Sequence, residues 1–140
     1  MHSLRSKWFA VLLACVFMFA AYGHSPAAEL PQTGALAPAE ALQLMDTLGD
    51  KLTVIDVRTE QEYAQGHVPG ALLLPIQTLR EHMGQVPADG SVLLLCRTGR
   101  RAETAYDMIR EAYPQKKIYG FSKEYPYTAM TAHLLSSKTF

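Results

Sequence analysis

From residue 38 onward the chain alternates between two textures. One is apolar at helical spacing and the other is a short β-branched or wholly apolar run. Ala41, Leu42, Leu44, Met45 and Leu48 recur at helical intervals, and Pro38 suits a first turn, so a helix is predicted over Ala39–Leu48. Leu52-Thr-Val-Ile-Asp-Val57 reads as a strand. Thr59-Glu-Gln-Glu62 is a capping box that opens a short helix. Val68-Pro-Gly70 signals a turn, and Ala71–Leu74 is a second short apolar run. A further short helix is expected over Ile76–Met83, followed by a turn at Pro87-Ala-Asp-Gly90.

Ser91-Val-Leu-Leu-Leu95 is apolar almost throughout. A strand without alternation is one buried on both faces, as in a parallel sheet covered by helices. Arg100–Tyr113 carries Ala102, Ala105, Ile109 and Ala112 on one stripe and is predicted helical. Lys117-Ile-Tyr119 is a last short strand, and the tail from Ser122 is expected to be helical in part, with Pro126 interrupting it. Strand and helix in alternation indicate an α/β domain around a parallel sheet.

The first residues follow another logic. Arg5 and Lys7 precede an uninterrupted apolar run, Trp8–Tyr22, and small residues follow before Glu29. That order describes a secretory signal peptide over residues 1–28. Cleavage after Ala27 places Ser25 at the small minus-three position, and Gly23 and Ala28 offer alternative cuts. The run is shorter than the roughly 20 residues that cross a bilayer comfortably, which disfavours an uncleaved anchor. Leu12-Leu13-Ala14-Cys15 resembles a lipobox, but the chain stays apolar after Cys15 and few apolar residues separate it from Lys7. Export to the periplasm is therefore expected, with the membrane involved only through this signal. Residues 29–36 read as a flexible lead-in and 37–140 as one domain.

Composition then narrows the chemistry. The 140 residues suffice for one domain. The 13 basic and 13 acidic residues cancel, so nucleic-acid binding through a bulk positive field is not suggested. His2, His24, His67, His82 and His133 are scattered, no Cys/His cluster has metal-ligand spacing, and no Gly-rich phosphate loop precedes a Lys-Ser/Thr pair. No metal and no cofactor are expected. There are two cysteines, and export removes Cys15. Cys96 is then a lone thiol in an oxidising compartment, which marks a reactive group or an intermolecular pairing site.

Cys96 stands where the buried apolar run ends, in Leu93-Leu-Leu-Cys-Arg-Thr-Gly-Arg-Arg-Ala102. Ligands of α/β sheets bind outside the carboxyl ends of strands. A short loop entering a helix directs backbone N–H groups and the positive end of the helix dipole inward. Gly99 permits a tight or left-handed turn, and Arg97, Arg100 and Arg101 add three cations. All of this favours an anion: a thiolate nucleophile, a persulfide, or an incoming dianion such as thiosulfate. The plainer alternative, a buried core cysteine beside a helix cap, has no need of three arginines.

Two blocks together resemble the rhodanese-homology family. One is Val54-Ile-Asp-Val-Arg58, Glu62-Tyr63 and Gly66-His-Val-Pro-Gly-Ala71; the other is Cys96-Arg-Thr-Gly-Arg-Arg101. Their order and spacing match the family from about Leu36 into the 120s. The resemblance implies a three-layer α/β fold, with a central parallel sheet of about five strands flanked by helices. It implies Cys96 as the nucleophile that accepts sulfane sulfur, with Arg97, Thr98, Gly99, Arg100 and Arg101 forming the substrate-binding anion cradle. It assigns structural roles near the site to Asp56, Arg58, Glu62 and His67, with Arg58 expected to pair with Glu62. After Gly120 the chain has Phe121 where the family often has a second glycine, and Tyr125 and Tyr127 stand where an aromatic could serve.

Loop length separates the relatives. Arg101 is the fifth residue after Cys96, one position short of the arginine in cysteine-phosphatase loops, so the cradle suits a sulfur atom rather than a phosphoryl group. The arginine-rich loop is similar to the thiosulfate type rather than to the uncharged mercaptopyruvate type. The expectation is a monomeric sulfurtransferase that moves sulfur from thiosulfate to cyanide or a thiol through a Cys96 persulfide. The alternatives are a rhodanese-fold binding module with an incidental thiol and a phosphatase- or arsenate-reductase-like enzyme.

Overall fold

The computed structural model describes residues 33–121. The expected signal peptide and the tail from Ser122, with Tyr125 and Tyr127, lie outside the described residues. Five strands alternate with three helices: β1 (Gly34–Leu36), α1 (Pro38–Leu48), β2 (Leu52–Asp56), α2 (Glu60–Gln65), β3 (Leu72–Leu73), β4 (Ser91–Leu95), α3 (Arg100–Ala112) and β5 (Lys117–Phe121). All strand pairs are parallel, in the order β1-β5-β4-β2-β3.

The central position of β4 follows from its sequence. All five of its residues are buried, and side chains alternate across a sheet, so both faces of β4 are covered. Val92 and Leu94 share one core with Ile55, Ile118 and the α3 residues Ala102, Ala105 and Ile109. Leu93 and Leu95 face the other way and are equally buried; their register places them beside Tyr119 of β5 and Asp56 of β2. Ala41 and Leu44 of α1 are likewise buried. Burying one leucine side chain contributes about 2 kcal/mol, so the leucines of β4 are a principal source of cohesion.

Helix ends follow local chemistry. Pro38 opens α1 at its first turn, and the Ala37 N–H donates to the Glu40 carboxylate. Helix α2 has the expected capping box: the Thr59 hydroxyl accepts from the Glu62 N–H, while Glu62 Oε2 accepts from the Thr59 N–H at 3.0 Å. Gly90 enters β4 at φ +74°, and a Cβ there would lie 2.6 Å from the Lys51 carbonyl oxygen.

Three expectations need correction. Gly34–Leu36, at the end of the expected flexible lead-in, is a strand that pairs with Tyr119–Phe121 of β5. Its small residues carry no local strand signal, and only the long-range partner makes it one. The helix expected over Ile76–Met83 is a series of turns closed by a 3₁₀ turn at Met83–Gln85. The bonds there run mostly to the third residue back, as from Thr78 N to Pro75 O and from Gln85 N to His82 O, after Pro75 and around Gly84. Ala112, expected on the buried stripe of α3, is exposed because the helix ends there.

Candidate active site

The sheet order places a topological switch point between β2 and β4. From β2 the chain proceeds to β3 on one side, whereas from β4 it proceeds to β5 on the other. The segments leaving the carboxyl ends of β2 and β4 therefore diverge, and such a switch point is where open α/β sheets bind ligands. Both sequence blocks meet there. β2 delivers Asp56, Arg58 and α2; β4 delivers Cys96 and the loop into α3. The Val57 N–H donates to the Leu95 carbonyl at 2.9 Å and ties the two exits together.

Cys96 continues the alternation of β4, so its side chain lies on the same face as Leu94, towards α3. It is 2% exposed and belongs to the core cluster that includes Ile55, Val57 and Ala102. Gly99 reverses the chain at φ +80°, a left-handed conformation that disfavours any side chain, and α3 starts at the next residue. That turn brings the Ala102 amide of α3 to the thiol. The Ala102 N–H donates to Cys96 Sγ at 3.4 Å. The donor is one residue beyond the cradle expected from the sequence. It belongs to the first turn of α3, whose amides have no partners within the helix and carry the positive end of the dipole.

The arginines divide into two kinds. Arg97 and Arg100 are exposed, as is Thr98, while Gly99 is buried. Arg101 instead reaches across the switch point to α2. Its Nη1 and Nη2 donate to Glu62 Oε2 and Oε1 at 2.6 and 2.8 Å, a bidentate ion pair with side chains 26% and 25% exposed. The hydrogen bonds from Arg101, with help from Thr59, lower the Glu62 carboxyl to about 2. The bond to Glu62 in turn raises the Arg101 guanidinium, and the nearby charges of Glu62, Cys96 and Asp56 act in the same direction.

Arg58 does not pair with Glu62, contrary to expectation. Its Nε and Nη2 hold both carboxylate oxygens of Asp56 at 2.7–3.0 Å, and Nη2 also donates to the Gly66 carbonyl at 2.8 Å. The reason is spacing. Asp56 and Arg58 are two residues apart on extended chain and face the same side, whereas the capping box turns Glu62 back towards Thr59 and Arg101. Asp56 is fully buried and Arg58 nearly so. His67 is exposed. Its ring stacks on Tyr63 with centroids 3.6 Å apart, and its Nδ1 lies 2.9 Å from the Tyr63 carbonyl oxygen. The Tyr63 hydroxyl donates to the Ala71 carbonyl at 2.6 Å, so His67 rests on a braced turn.

The link between Glu62 and Arg101 was not foreseen from the sequence. Its signal was nonetheless present: the capping box uses a carboxylate that has oxygen lone pairs to spare, and an unpaired arginine opens the facing helix.

The rhodanese-like domain model matches residues 37–127. The chain belongs to the rhodanese-like domain family. A sulfurtransferase of Allochromatium vinosum is 36% identical over 78 residues, covering 56% of this chain and 66% of that protein. The thiosulfate sulfurtransferase PspE of Escherichia coli is 32% identical over 59 residues, 41% of this chain and 57% of the relative. The chain thus spans somewhat less than two thirds of either relative's length. The human single-domain sulfurtransferase TSTD1 shares the fold with a TM-score of 0.56 at 21% identity, over 73% of this chain and 96% of that one. The five-stranded parallel sheet is the rhodanese fold expected from the two sequence blocks.

Proposed function

We propose that this rhodanese-like chain is a sulfurtransferase that moves sulfane sulfur from thiosulfate to cyanide or a thiol through a persulfide on Cys96. The observation that carries the reading is the Cys96 sulfur at a strand end, under the first turn of α3, with the Ala102 N–H on it at 3.4 Å. A helix N-terminus stabilises negative charge, and both the attacking thiolate and the persulfide of the cycle below are anions. The relatives named sulfurtransferase and thiosulfate sulfurtransferase support the reaction class and the donor. The near-complete burial of Cys96 favours a small donor over a bulky one.

The cycle has two displacements. The Cys96 thiolate attacks the outer sulfur of thiosulfate. A Cys96 S–S bond forms, the thiosulfate S–S bond breaks, and sulfite leaves with the electron pair. The acceptor then attacks the terminal sulfur of the persulfide, and Cys96 departs as thiolate. Loop arginines draw the dianion in, and the first turn of α3, whose Ala102 N–H already meets the Cys96 sulfur, stabilises the charge on the terminal sulfur. Each step is a nucleophilic displacement at sulfane sulfur, and the cycle needs no external oxidant or reductant. The partners are accordingly small molecules, and the chain acts as a monomer.

We place this activity in the periplasm. Support comes from the basic, apolar and small-residue order of residues 1–28 and from the single thiol that cleavage would leave. The test of function is thiocyanate production from thiosulfate and cyanide by the purified chain. Turnover that Cys96→Ser abolishes is the expected result. A wild-type chain that forms no thiocyanate and passes no sulfur to a small thiol overturns the reading and favours a binding module.

A further inference from the structure

The two arginine pairs at the switch point are not equivalent to a pool of positive charge. Asp56 cancels Arg58, and Glu62 cancels Arg101 through two hydrogen bonds at 2.6 and 2.8 Å. Among the described residues no ion pair holds Arg97 or Arg100, and both are exposed at the loop that carries Cys96. Arg101 adjoins Ala102, whose N–H contacts the sulfur. A change in the charge of the Glu62–Arg101 pair is therefore felt at Cys96.

We infer that Glu62 sets the anion selectivity of the Cys96 site by neutralising Arg101, so that Arg97 and Arg100 are the cations an anionic reagent meets. This inference rests on the Cys96 site of the proposed function, and it narrows that site's expected arginine trio to a pair. Glu62 is a positioning residue, since it acts through Arg101. Its carboxylate has two jobs: it closes the cap of α2 and it holds a guanidinium away from incoming anions. A gain of one positive charge would raise attraction for every anion that enters, including the sulfite that must leave. Glu62 in this view trades donor affinity for product release.

The test uses Cys96 alkylation, which needs no sulfur transfer. The full chain reacts with iodoacetate, an anion, or with iodoacetamide, its neutral analogue, and peptide mass spectrometry reads modification at Cys96. The ratio of the two rates reports local charge and cancels general changes in access. Glu62→Gln keeps a side chain that closes the cap, and it should raise the ratio about two- to sixfold at low salt, as one unit charge does several ångströms away between aqueous and intermediate dielectric. Arg101→Gln leaves Glu62 uncompensated and should lower the ratio by a similar factor. The double variant should return towards the wild-type value, and high salt should shrink all the differences. A ratio unchanged by Glu62→Gln, or lowered by it, overturns the inference. Should Glu62→Gln not fold, Arg101→Gln decides alone, and an unchanged ratio there overturns it. A chain that shows the expected ratios yet moves no sulfur leaves this inference standing and removes the proposed function.

Discussion

Replacing Glu62 by Gln also tests how α2 and α3 are held together. The carboxyl is lowered from 4.5 to about 2, chiefly by the hydrogen bonds from Arg101. Taken at face value, that shift corresponds to about 3 kcal/mol of folding free energy, at 1.36 kcal/mol per pKa unit. Both side chains are about a quarter exposed, so solvent screening reduces the contribution to about 1–2 kcal/mol. The sign follows from linkage. A carboxyl depressed in the folded state adds stability that is complete above its unfolded value, near 4.5, and is lost as pH falls towards about 2. Arg101 stays charged throughout and adds no pH dependence of its own. The measurement is urea unfolding of wild type and Glu62→Gln at a series of pH values. At neutral pH the variant should be less stable by about 1–2 kcal/mol, and the gap should close between pH 4.5 and about 2. A gap that is the same at every pH would show that the loss is one of packing or capping, and the ion-pair reasoning would be refuted.

Other changes test neighbouring parts of the account. Arg58→Met leaves the fully buried Asp56 carboxylate without its guanidinium and should cost about 3–5 kcal/mol in urea unfolding. Adding Asp56→Asn should recover part of that loss. Gly99→Ala forces a side chain into a left-handed turn at φ +80°, so stability should fall by about 1–2 kcal/mol, and sulfur transfer should fall more steeply as the Ala102 N–H leaves the sulfur. Leu94→Ala, in the centre of the sheet, should lower unfolding free energy by about 2–5 kcal/mol, as read by the urea midpoint at constant m-value.

The sequence was most legible where physics is local or strongly patterned. The uninterrupted apolar run Ser91–Leu95 announced a strand buried on both sides, and it is the central one. The Thr59–Glu62 capping box and the glycine before α3 were readable because each solves a problem within a few residues. What escaped was long-range. Gly34–Leu36 looks like a linker and becomes a strand only because β5 lies beside it. Ile76–Met83 has helical periodicity, yet Pro75 and Gly84 confine it to turns. Arg58 and Arg101 were both recognisable as charges near the site, but their partners depend on how β2, α2 and α3 converge. The family resemblance suggested Glu62 for Arg58, whereas the fold gives Glu62 to Arg101, 39 residues away.

The central claim is that Cys96 carries sulfur. Its most direct test is intact-mass and peptide mass spectrometry of the purified chain after exposure to thiosulfate and removal of the excess. The expected result is a gain of one sulfur atom, located on Cys96, that cyanide or a small thiol removes and that Cys96→Ser never acquires. An unmodified Cys96 in folded protein, or a sulfur adduct that persists in the presence of every acceptor, would contradict it.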